Sequence, residues 1–212
     1  MKISIIYDNE AKIDGLASDW GFSCLVQAHG GSLLFDIGAR GALLLANMKA
    51  LGIAPESIDE VFISHDHYDH TGGLSAFLSV NNSVKVFAPS TMSGIAPARE
   101  VNYIDNPGPL RNHFYSTGLL MDIEHSLAIE TDKGLVVVVG CSHPGVENIL
   151  DAVREFGSPY ALIGGLHGFD AFEIIEPLDL VCPTHCTQHI DEIRSLYPGK
   201  YIKGGAGTVI EI

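Results

Sequence analysis

Four apolar, strand-like runs in this chain each lead into a histidine: "VFIS" into His65, "VVVVGCS" into His143, "ALIGGL" into His167 and "LVCPT" into His185. Between the later runs lie helix-like segments such as "GVENILDAVREFG", whose apolar residues recur at helical spacing. Strands alternating with helices build layered α/β folds. In open α/β sheets the loops beyond the carboxyl ends of the strands converge on one rim, so this pattern predicts that the four histidines gather there. One such histidine alone is more often a side chain bonded to backbone; four in one context point to a site.

The stretch "SHDHYDHTGGL" carries three histidines and two aspartates in six positions, from His65 to His70. In an extended or turning segment His65 and His67 face the same way, while Asp69 and His70 follow one turn later and face the neighbouring volume. Imidazole and carboxylate together suit zinc, iron and manganese. Two such ions held roughly 3.5–4 Å apart can share a water whose pKa falls to near neutrality. The segment is therefore expected to serve two divalent metal ions, zinc first, with manganese or iron as alternatives.

The remaining composition narrows the partners. With 46% hydrophobic residues, the 212-residue chain can bury a continuous core, and we expect one domain over 1–212. Its net charge of −14 repels phosphate polymers and anionic membranes, so a small-molecule substrate is expected rather than nucleic acid or membrane. The opening "MKISIIYDNE" lacks a signal-peptide core and "LVVVV" is far too short to span a bilayer, which predicts a cytoplasmic protein. Cys24, Cys141, Cys182 and Cys186 form no CxxC pair and suggest neither a disulfide framework nor a four-cysteine zinc site. Cys186 reads as a structural thiol, and Ser90 to Asn112, rich in Pro, Gly, Ser and Asn, as loop.

The "HDHYDH" run matches the HxHxDH signature of the metallo-β-lactamase superfamily. Further blocks, "LLFDIGA", "VVVVGCSHPGVENIL", "IGGLHGF", "PTHCT" and "GAGTVIEI", resemble the branch of 7,8-dihydropterin-6-yl-methyl-4-(β-D-ribofuranosyl)aminobenzene-5′-phosphate synthase-like metal-dependent hydrolases. The resemblance implies a four-layer αββα sandwich with metals at one edge of its two sheets. It also implies His65, His67 and His143 on one metal, and Asp69, His70 and His185 on the other. Where that superfamily usually places a bridging Asp, this chain offers Cys141 and, two residues on, His143; His125 stands near the expected third histidine. Asp36 resembles the acid that fixes a ligand histidine, Asp66 a further orienting carboxylate, and Asp69 would hold the reactive water. His167, Trp20 and Phe22 are candidates to face substrate.

The activity so implied is hydrolysis of an ester or phosphoester-type bond, on a substrate bearing a pterin or phosphate, by a metal-bridged hydroxide. Iron-dependent redox chemistry on the same fold and a non-catalytic sensor that keeps the metals are the alternatives.

Overall fold

The computed structural model describes residues 1–95 and 98–212. They divide into two compact units, residues 1–104 with 204–212 and residues 105–203.

The first unit contains β1 (Lys2–Tyr7), β2 (Ser23–Ala28), β3 (Gly31–Phe35), α1 (Gly41–Ala50), β4 (Glu60–Phe62), α2 (Tyr68–Thr71), α3 (Leu74–Val80), β5 (Lys85–Ala88), β6 (Glu100–Tyr103) and the late strand β13 (Val209–Glu211). Its sheet runs β13-β1-β2-β3-β4-β5-β6, antiparallel as far as β3 and parallel beyond. His29 and Gly30, at φ 51° and 77°, make the two-residue turn between β2 and β3, with positive φ at both positions as hairpin twist favours. Leu34 of β3, Leu44 and Met48 of α1, Val61 of β4 and Phe77 of α3 share one buried cluster. Asn47 is buried in α1, and its amide bonds Ile6 O and Ala17 O at 2.8 Å each, which satisfies a polar group inside an apolar layer.

The second unit contains β7 (Gly108–Arg111), β8 (Phe114–Ser116), β9 (Leu127–Thr131), β10 (Gly134–Val139), α4 (Val146–Arg154), β11 (Pro159–Gly165), β12 (Leu180–Thr184) and α5 (Ile190–Leu196). The sheet order is β12-β11-β10-β9-β8-β7, parallel from β10 to β12 and antiparallel elsewhere. Every residue from Val136 to Val139 is fully buried, which explains a continuous valine run in place of alternation. Val146, Ile149, Leu150 and Val153 form the buried stripe of α4 and pack with Val137, Val139 and Leu162.

These two mixed sheets with helices agree with the α/β expectation. Two details differ. The stretch Ser90 to Asn112 holds β6 and β7, short edge strands whose order comes from pairing with β5 and β8 and which carry no apolar alternation; Ala96 and Pro97 within it lie outside the described residues. The segment "KYIKG" also reads as a terminal strand in the sequence, and it makes only a single bridge, Tyr201 to Val181. Among the described residues no helix is long and apolar enough to cross a membrane.

Gly164 allows β10 and β11 to approach: at φ +129°, a Cβ there would lie 2.0 Å from Val139 O. Gly164→Ala should lower stability by at least about 3 kcal/mol through clash and backbone strain. Urea unfolding measures this, and a loss below about 1 kcal/mol would contradict the packing described.

Candidate metal centre

In the first unit the histidine cluster begins three residues beyond β4 and runs into α2. His67 is extended, at φ −91° and ψ 144°, and the helical turn starts at Tyr68, so the chain changes conformation in the middle of the motif. His65 and His67 consequently lie on extended backbone, and Asp69 and His70 on the turn. His65 Nε2 and His67 Nδ1 are 3.1 Å apart. Two nitrogens bound tetrahedrally at zinc–nitrogen lengths stand about 3.3 Å apart, so the pair has the spacing of neighbours on one cation.

Asp36 organises this half. It follows β3 in left-handed backbone at φ 51° and is fully buried. Its Oδ1 accepts from Ser64 N at 2.7 Å, and its Oδ2 accepts from Ser64 Oγ and pairs with His70 Nδ1, each at 2.7 Å. A carboxylate only accepts, so the shared proton sits on His70 Nδ1 and leaves Nε2 with its lone pair. Ser64 Oγ spends its proton on Asp36 and accepts from His65 Nδ1 at 2.9 Å, which leaves His65 Nε2 as the electron-pair donor. One buried carboxylate thus sets the tautomer of two histidines. His70 Nε2 lies 3.8 Å from Asp69 Oδ2, and the same oxygen accepts from Trp20 Nε1 at 2.8 Å. The donor set, two imidazole nitrogens presented with lone pairs beside a carboxylate, fits a divalent cation.

In the second unit the corresponding groups follow β10, β11 and β12. His143 comes four residues after β10, His167 two after β11, and His185 directly after β12. Ser142, His167 and His185 all have positive φ, 58°, 50° and 51°, conformations that non-glycine residues hold only when the surroundings fix them. Glu124, fully buried, supplies that fixing for the "GCSH" turn. Its Oε1 accepts from the N–H groups of Gly140, Cys141 and Ser142 at 2.9, 3.1 and 3.2 Å, and its Oε2 from that of His143 at 2.9 Å. Cys141 Sγ lies within 4.8 Å of a ring nitrogen of His185. The His143 and His167 rings are 5.2 Å apart.

Gly165 admits Cys186 to this corner, since a Cβ on it would lie 2.7 Å from Cys186 Sγ. The Cys186 thiol is held down at about 5. Its hydrogen bond with the Cys141 side chain is the main cause, and His185 and His167 add to it against the opposing effect of burial. Cys186 is buried, with Sγ 3.8 Å from Cys141 O.

Two sequence expectations change. Phe22 is fully buried, edge-on to Phe35 at 6.2 Å, and belongs to the core, not a substrate wall. Gly21, at φ +142°, turns the chain so that Trp20 points out, 57% exposed, while Phe22 points in. His125 is fully buried with Nδ1 3.0 Å from Ser116 Oγ, and among the described residues no group of ligating side chains includes it. The glycines of "KGGAGTV" pack on the N-terminal loop: a Cβ at Gly207 would meet Ile13 at 2.2 Å. Asp66 is exposed. Glu124 had no local sequence signal. It is visible only once β9 and β10 are paired, because extending the register Leu127↔Val138 by three residues sets Glu124 opposite Cys141.

Comparison with known proteins bears on the family and the fold. Residues 16–91 match the family model described as anti-Pycsar protein Apyc1. The chain is 26% identical to the 7,8-dihydropterin-6-methyl-4-(β-D-ribofuranosyl)-aminobenzene-5′-phosphate synthase of Methanocaldococcus jannaschii, over 88% of this chain and 90% of that one. It is also 26% identical to a UPF0173 metal-dependent hydrolase of Metallosphaera sedula, over 70% of this chain and 74% of that one. The crystal structure of Tm1679, a metal-dependent hydrolase of the β-lactamase superfamily, superposes with a TM-score of 0.83 and 25% identity, covering 100% of this chain and 99% of that one. The chain has the metallo-β-lactamase superfamily fold.

Two measurements check the second unit. Glu124→Ala should cost about 3–5 kcal/mol in urea unfolding, because four buried N–H groups lose their acceptor, whereas Glu124→Gln should recover part of that. A Glu124→Ala protein within about 1 kcal/mol of the parent would show that the carboxylate does not hold the turn. Separately, thiolate absorbance at 240 nm in chelator-treated protein should titrate with a midpoint near 5 and lose that step in Cys186→Ser. Since the folded value lies below the unfolded one, ionised Cys186 adds stability above the unfolded thiol's range and loses it as pH falls toward 5. A midpoint near 8 would refute the reading.

Proposed function

We propose that this chain is a metal-dependent hydrolase acting on an ester or phosphoester of a small molecule, with two cations in its site. His65, His67 and His143 hold one; Asp69, His70 and His185 hold the other. Cys141 joins the second set, a placement supported by its Sγ lying within 4.8 Å of a His185 ring nitrogen. The observation that carries the reading is the proton relay from Asp36, which presents His65 Nε2 and His70 Nε2 as lone-pair donors, with His67 Nδ1 at cation-sharing distance from His65.

Divalent cations so bound acidify water and polarise the oxygen of an ester or phosphoryl group. The chain's own groups do the rest. Asp36 keeps the imidazole protons on the nitrogens that face away from the cations, so that ligation needs no proton rearrangement. Asp69, half-buried and tethered by Trp20, is placed to take a proton from the attacking water. Glu124 fixes the turn that carries Cys141 and His143. The −14 charge favours a small substrate over nucleic acid.

The likeness to the methanogen protein, whose name is that of a synthase, favours one second reading: transfer of the activated group to an acceptor other than water. The two readings share the site and differ in the nucleophile.

The test is elemental analysis of purified protein and of the His67→Ala, Asp69→Ala double variant, with assays on a phosphodiester and a lactone. About two equivalents of metal, lost in the variant together with at least about a hundredfold of the hydrolysis rate, are expected. Protein that takes up no metal under any loading condition would remove the ligand assignment.

A further inference from the structure

The segment Asp19 to Phe22 is fastened at each backbone donor. Trp20 N–H bonds Asp19 Oδ1 at 2.9 Å, Gly21 N–H bonds Asn9 Oδ1 at 3.2 Å and Phe22 N–H bonds Asp69 O at 3.3 Å. Arg40 secures the other oxygen of Asp19 at 2.9 Å. Gly21 sits so close to the motif that a Cβ on it would lie 2.6 Å from Asp69 O. On this fixed loop stands the chain's single tryptophan. Its indole N–H bonds Asp69 Oδ2 at 2.8 Å, yet 57% of the residue remains in water. A surface indole ordinarily swings among rotamers; this one is held at both ends and has lost that freedom before any ligand arrives. Docking against it therefore costs little side-chain entropy. Its flat π face suits a planar heteroaromatic ring, since stacking on an aromatic side chain tolerates differences in ring substitution.

We propose that Trp20 is a substrate-docking residue whose exposed indole face stacks on a planar heteroaromatic ring of the substrate, beside the reacting ester or phosphoester. The proposal rests on the hydrolase reading for its location, because Asp69, the residue that holds the ring, is there a metal ligand. A group that stacks on Trp20 comes to lie next to Asp69, so the ring acts as the handle and the bond to be broken follows from it.

The experiment uses chelator-stripped full-length protein, so that it reads binding alone. Guanosine 5′-monophosphate, a fused heteroaromatic ring with a phosphate, is titrated by calorimetry, with ribose 5-phosphate as the ringless control; quenching of Trp20 fluorescence is followed in the parent protein. Stacking predicts saturable quenching by the nucleotide alone. It also predicts that Trp20→Phe, which keeps a ring but loses the N–H, binds the nucleotide within about threefold of the parent. Trp20→Leu should bind at least about tenfold more weakly, as base stacking on an aromatic side chain requires. If both variants weaken equally, Trp20 serves only to hold Asp69 and the docking role is overturned. Equal binding of ribose 5-phosphate, or absence of saturable binding by the parent, overturns it too. Circular dichroism of both variants verifies the fold. Metal equivalents and hydrolysis rates are measured apart from these titrations, so loss of the docking role would leave the hydrolase reading standing.

Discussion

The bond between Asp36 and His70 is the one on which the first half of the site depends. A buried carboxylate is expensive unless it is paired and hydrogen-bonded, and Asp36 meets that condition by engaging Ser64 twice and His70 once. The same bonds that make its burial tolerable also assign protons. Had Ser64 been an alanine, its backbone N–H would still reach Asp36, but Asp36 would lose the hydroxyl bond and His65 the partner that sets its tautomer. Stability and chemistry are here the same set of contacts.

Glu124 solves a related problem with different chemistry. Where Asp36 orients side chains, Glu124 orients backbone, accepting from four consecutive N–H groups at the end of β10. Such a turn would otherwise leave its donors buried and unmet, and the positive φ of Ser142 would have nothing to hold it. In each unit one strand-end loop carrying metal-binding candidates, residues 64–70 in the first and 140–143 in the second, is thus held by one buried acid from a neighbouring strand end.

The histidines were legible in the sequence because they follow apolar runs and because "HDHYDH" is compact enough for its two faces to be counted. Asp36 was legible too, as an acid directly after "LLF" and just before a glycine. Glu124 was not, since its sixteen-residue distance from Gly140 closes only through the register of a hairpin. Phe22 was misread because nothing in the sequence says which of two neighbouring aromatics turns inward: at Gly21 the chain turns so that Trp20 faces out and Phe22 is buried. The edge strands β6 and β7 were hidden because their order comes from pairing partners and their own pattern carries no alternation.

The hairpin of β9 and β10 turns through Asp132 and Lys133 alone, with Thr131 paired to Gly134. This short turn is exposed and at the opposite end of the strands from Cys141, a place where loops usually tolerate added residues. Here length carries meaning. One residue inserted there without a compensating bulge would slide β9 by a step against β10, moving Glu124 off Cys141 and onto the other face of the sheet. The spacing between a remote turn and a buried acid is thus a ruler for the site, and insertions that look harmless on the surface would be read at the metal end.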